Sequence, residues 1–132
     1  MRAALDWLER EFRLPIVFAG FSFGAWVGLR AACPDARVRA LIALGTPVDV
    51  EGHAYAYDFL RDCSKPKLFV SGARDEFGPL GEVERIVATA AEPKRLVRIP
   101  GADHFFEGRL PALESAIAEW LRSILPDTDQ PL

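Results

Sequence analysis

Ile16-Val17-Phe18-Ala19-Gly20-Phe21-Ser22-Phe23-Gly24 is the stretch that decides how this chain folds. Its first four residues form a continuous apolar run, the pattern of a strand buried on both faces. Gly20 to Gly24 then fit G-x-S-x-G, the sharp turn that lifts a serine from a strand end onto a helix start. Such a turn strains the serine backbone and packs tightly, so small residues are expected on either side of it. A serine hydroxyl is a weak nucleophile near neutral pH, and the turn carries chemistry only with a base in reach.

The pattern continues in both directions. Upstream, Leu5, Leu8 and Phe12 recur at helical spacing, and Pro15 is expected to close that helix. Downstream, Ala25, Trp26, Leu29 and Ala32 make a helical stripe that stops near Pro34. The runs at residues 38–44, 67–71 and 96–99 read as three further buried strands. Val83, Ile86, Val87 and Ala90 share one helical face, and a broad apolar stripe from Leu110 to Ile124 predicts the last helix. Residues 48–65 follow no clear period and are expected to hold a short helix near Tyr57. Trp7, Trp26 and Trp120 lie on helical stripes and are expected in the core.

Buried strands alternating with helices imply an α/β fold, here about four mostly parallel strands flanked by helices. Residues 1–125 are expected to form one domain, and the polar, proline-bearing residues 126–132 a flexible tail.

The bulk composition of the 132 residues narrows the function classes. Half are hydrophobic and the formal net charge is −3, with no basic stripe of the kind that binds nucleic acid. No apolar run has the length of a membrane span, and the segment from Met1 to Asp6 does not read as a signal peptide. Cys33 and Cys63 match neither a disulfide framework nor a metal-ligand spacing, so a cytoplasmic protein without metal or organic cofactor is expected. His53 reads as a surface histidine, and its acidic neighbours Asp49, Glu51 and Asp58 fit no recognised metal spacing.

In a parallel sheet, function sits at the carboxyl ends of the strands. Ser22 follows the first predicted strand, Asp75 the third and His104 the fourth, in the order Ser, Asp, His. On this reading His104 takes the serine proton and returns it to the leaving group, and Asp75 holds the imidazole tautomer. Glu76 is the alternative acid, and Asp103 is expected to fix the histidine loop. The backbone N–H of Phe23, at a helix start, is the candidate oxyanion donor. Phe21, Phe77 and Phe105 adjoin the three tips as candidate substrate-lining residues.

The motifs Ala19-Gly20-Phe21-Ser22-Phe23-Gly24-Ala25, Ser71-Gly72-Ala73-Arg74-Asp75-Glu76 and Gly101-Ala102-Asp103-His104-Phe105-Phe106 carry a family likeness, together with Ala4-Leu5-Asp6-Trp7-Leu8. The chain resembles the bacterial α/β-hydrolases of the dienelactone-hydrolase-like type, over nearly its whole length. The resemblance implies a partial α/β-hydrolase fold, the C-terminal half, in which relatives carry further strands before the segment at Leu5. It implies a carboxylesterase-type serine hydrolase acting on a small-molecule ester through an acyl-enzyme. It also implies that the second oxyanion N–H comes from a loop outside the matching half. The alternative is a catalytically inactive, hydrolase-derived module for binding or oligomerisation. The outer edge of the strand at Ile16 to Ala19 is then expected to be bare, and to be covered by forming a homodimer.

Overall fold

The computed structural model describes residues 1–125, so the expectation for the tail at 126–132 lies outside the described residues. Four strands, β1 (Ile16–Phe21), β2 (Val38–Leu44), β5 (Lys67–Gly72) and β6 (Lys94–Ile99), form one parallel sheet in the order β1-β2-β5-β6. The helices are α1 (Arg2–Phe12), α2 (Phe23–Ala32), α3 (Leu80–Thr89) and α4 (Leu110–Ile124). None of them is long and apolar enough to cross a membrane, among the described residues.

Side chains alternate across a strand, so each strand feeds two cores. Leu41 and Ala43 of β2 join Phe69, Leu29 and Val83 under α2 and α3, while Ala40 and Ile42 join Leu68, Val70 and Trp120 under α4. β2 and β5 are central and buried at every position but Arg39 and the half-buried Leu44, as their largely apolar sequences require.

β1 departs from the expectation of burial on both faces. Among the described residues it pairs only with β2, and its residues are half-buried or exposed. Its composition is that of an interior strand, but its place in this sheet is an edge. α1 is likewise thinly covered: Leu5 is its one buried residue, and Phe12 is exposed. Trp7, expected in the core, is 48% exposed and stands edge-on to Phe12, ring centroids 5.4 Å apart. That helix ends at Phe12, before Pro15, because Arg13 takes a left-handed conformation at φ 49°.

The irregular segment holds more order than its sequence pattern suggests. β3 (Asp49–Val50) and β4 (His53–Ala54) form a small antiparallel hairpin, followed by a 3-10 helix at Asp58–Asp62. Glu51 and Gly52 turn the hairpin with positive φ at both positions, and Asp49 Oδ1 accepts from Gly52 N at 3.1 Å.

Candidate active site

The serine turn is built by steric fit. A Cβ at Gly20 would lie 2.6 Å from the Phe18 ring and 2.8 Å from the Gly24 carbonyl oxygen, so only glycine lets β1 approach α2. Gly28, one helical layer on, leaves room for the same Phe18 ring. The expectation of crowding on both sides of Ser22 fails at Gly24, where an added Cβ would meet nothing within 4 Å. That side of the turn faces open space, beside the unpaired edge of β1.

Ser22 caps α2 in a strained conformation, φ 54° and ψ −126°. Its backbone N–H donates to Leu44 O at 2.9 Å, fastening the turn to the end of β2, and its carbonyl accepts from Ala25 N and Trp26 N. The side chain is thereby held at the carboxyl end of the sheet, half-buried.

Asp75 follows β5 and His104 follows β6, both almost fully buried. Asp75 Oδ1 accepts from Phe77 N at 2.8 Å and Gly78 N at 2.9 Å, which fixes the carboxylate and turns Oδ2 toward the histidine. His104 Nδ1 lies 2.8 Å from Asp75 Oδ2, and Nε2 lies 2.9 Å from Ser22 Oγ. Because a carboxylate only accepts, Nδ1 carries the proton and Nε2 is free to accept from the serine hydroxyl. The three side chains thus form one continuous hydrogen-bonded chain across the tips of three strands. Glu76 is exposed and points away from this role. Asp103 fixes its loop instead, accepting from Phe105 N at 3.0 Å and Glu107 N at 3.1 Å.

The phenylalanines singled out in the sequence surround the imidazole. Phe77 lies 4.8 Å from the His104 ring, and Phe21 and Phe105 each lie 5.1 Å away. Phe23, whose N–H opens α2, turns its side chain outward and is 59% exposed. Two contributions escaped the sequence reading. Gly45, at φ 58°, lies directly under the imidazole, where an added Cβ would sit 3.2 Å from His104 Cε1. The other is the hairpin: His53 and Tyr55 meet Trp26 of α2 edge-on, and their own ring centroids lie 4.8 Å apart at a steep angle. The positive-φ glycine after β2 was a signal for the first; the turn residues Glu51-Gly52 were a signal for the second.

Comparison with known proteins finds the same fold elsewhere. A family model described as an alpha/beta hydrolase domain matches residues 1–123. A solved structure of an alpha-beta serine hydrolase homologue from Coxiella burnetii is 34% identical, with a TM-score of 0.76 over 94% of this chain and 56% of that one. A structure from Xanthomonas campestris, described as a member of the a/b serine hydrolases without a lid, is 31% identical, with a TM-score of 0.79 over 96% of this chain and 56% of that one. An uncharacterized protein of Rickettsia prowazekii is 29% identical, over 92% of this chain and 54% of its own length. The chain spans about half the length of the curated relatives it matches.

Proposed function

We propose that this chain, which belongs to the alpha/beta hydrolase domain family, is a serine hydrolase that cleaves a carboxylic ester through an acyl-enzyme on Ser22. The observation that carries this reading is the unbroken hydrogen-bonded chain from Asp75 Oδ2 through His104 to Ser22 Oγ.

Ser22 Oγ attacks the ester carbonyl carbon while His104 Nε2 accepts its proton. Asp75 keeps the proton of Nδ1 in place and stabilises the imidazolium that forms. The negative charge that develops on the carbonyl oxygen faces the backbone N–H of Phe23, at the positive end of α2. As the carbon–oxygen bond breaks, His104 gives its proton to the leaving alkoxide, and the acyl group remains on Ser22. Water then attacks that acyl group, losing a proton to His104, and Ser22 departs with the proton returned. The experiment is mass spectrometry of the protein mixed with p-nitrophenyl acetate at low pH quench. A mass gain of one acetyl group located on Ser22 supports the reading, and turnover without any acyl-protein opposes it.

With the Phe23 N–H as the one oxyanion donor identified among the described residues, the competing reading is a module that keeps the three residues without turning over substrate. An oxyanion site with one donor missing typically loses about 100- to 1000-fold in rate. Absence of an acylated species in folded protein is the outcome that selects it.

The same reading extends to assembly. Among the described residues β1 offers an unpaired, apolar edge; Phe21 at its own end is exposed, as are Trp7 and Phe12 of α1. Two copies joined antiparallel through Ile16 to Ala19 would extend the sheet across a two-fold axis. Light scattering is expected to give twice the chain mass at micromolar concentration, and a folded monomer contradicts the pairing.

A further inference from the structure

The rings around Ser22 fall into two groups, one on each chain neighbour of the serine. Phe21 belongs with Phe77, Phe105 and the His104 imidazole. Phe23 belongs with Trp26, Tyr55 and His53, at centroid separations of 6.2 Å to Trp26 and 6.5 Å to Tyr55. Among the described residues, ring contacts run within each group and none links the two.

The second group is assembled rather than incidental. Trp26 Nε1 donates to Ala56 O at 2.9 Å, which ties α2 to the chain leaving the hairpin. Tyr55 N donates to Val48 O at 2.9 Å and closes the hairpin base. The Arg30 guanidinium covers one face of Trp26, 4.7 Å from its centroid. With one face of Trp26 covered, the exposed rings of this group are Phe23 and His53, and the half-buried Tyr55 lies between them, edge-on to both.

Resting on the serine-hydrolase reading above, we propose that this surface selects esters whose acyl group ends in an aromatic ring. His104 must hand its proton to the leaving oxygen, so the alcohol half lies over the imidazole, among Phe21, Phe77 and Phe105. The acyl half points the other way, toward Phe23. Adjacent Cα atoms are about 3.8 Å apart, so a ring two or three carbons beyond the carbonyl reaches the Phe23 side chain. There it stacks on Phe23 and meets Tyr55 at an angle, an arrangement aromatic rings prefer over a face-to-face sandwich. Tyr55 and Phe23 are thus specificity-determining residues, flanked by Trp26 and His53.

The test uses p-nitrophenyl esters with one leaving group and three acyl groups: acetyl, 3-phenylpropanoyl and 3-cyclohexylpropanoyl. The kcat/KM ratio of phenylpropanoyl to acetyl is read on one sample, so it does not depend on the folded fraction. The wild-type ratio is expected to exceed ten, to fall about tenfold in Tyr55→Ala and to be retained in Tyr55→Phe, the scale of one lost stacking contact. An unchanged ratio in Tyr55→Ala overturns the proposal. So does a cyclohexyl ester that loses as much as the phenyl ester, since the surface would then be merely apolar. Protein that turns over none of the esters fails the hydrolase reading instead. The surface is then tested by calorimetric titration with 3-phenylpropanoate, whose affinity is expected to drop about tenfold in Tyr55→Ala; equal affinity, or no binding to wild type, overturns it.

Discussion

Gly45 makes room for His104: a Cβ on Gly45 would lie 3.2 Å from Cε1 of the imidazole and 3.4 Å from Nδ1. Gly45 also has φ 58°, which an alanine adopts at a cost of about 1–2 kcal/mol. Gly45→Ala is therefore expected to push the ring off its line between Asp75 and Ser22. The contact asks the ring to give by a few tenths of an ångström, a fraction of the ångström-scale misplacement that costs on the order of 100-fold. Steady-state kinetics on a p-nitrophenyl ester should give a kcat lower by about tenfold, with KM little altered. A wild-type kcat contradicts the arrangement.

Asp75→Asn separates the charge of the carboxylate from its shape. The asparagine carbonyl is expected to keep the bonds from Phe77 N and Gly78 N, turning the amide N–H₂ toward His104 Nδ1. The imidazole then carries its proton on Nε2 and cannot accept from Ser22. A fall in kcat of about 10,000-fold is expected, with the thermal midpoint close to wild type. A loss below tenfold means that Glu76 or another group supplies the acid.

Lys67 tests the fold rather than the chemistry. Its side chain is buried, and Nζ donates to Cys63 O at 2.6 Å and Ala91 O at 2.7 Å, joining the chain before β5 to the end of α3. Lys67→Met strands these carbonyls, at about 1–3 kcal/mol for a buried group left unpaired. Urea unfolding should show the loss, while the reactivity of Ser22 in the folded fraction is unchanged. Equal stability contradicts the bracing role.

Asp35 gives the chain a pH-dependent contact. Arg37 donates to its carboxylate through Nε at 2.9 Å, Nη2 at 2.7 Å and the backbone N–H at 3.0 Å, and holds the carboxyl well below its usual range. A depressed carboxyl pKa stabilises the folded state above the ordinary value near ~3.9, and the contribution fades as pH falls below it. Asp35→Asn should lower the thermal midpoint slightly at pH 7, and the gap to wild type should narrow steadily as pH falls below about 4. A gap independent of pH contradicts the pairing.

What the sequence made legible follows from how local each signal is. β2 and β5 announce themselves because strands covered on both faces need largely apolar runs, and residues 38–44, apart from Arg39, and 68–70 supply them. Ser22, Asp75 and His104 were legible because a parallel sheet brings strand ends together whatever lies between them. The edge position of β1 alters its burial without altering its residues, so Ile16 to Ala19 read as an interior strand. Trp7 misled for a related reason: its helical stripe shows which face is apolar and says nothing of what covers it. Gly45 depends on a contact with a residue far along the chain, and the burial of Lys67 on one carbonyl four residues away and another 24 residues away. The β3–β4 hairpin is too short for a period, and only its turn residues hinted at it.

The central claim is that Ser22 is an activated nucleophile, and an alkyl fluorophosphonate reports on it directly. Wild-type protein incubated with the probe at neutral pH is expected to gain one covalent adduct, mapped to Ser22, with Ser22→Ala unlabelled and His104→Ala labelled far more slowly. Folded wild-type protein that stays unlabelled, or that labels equally in Ser22→Ala, contradicts the claim.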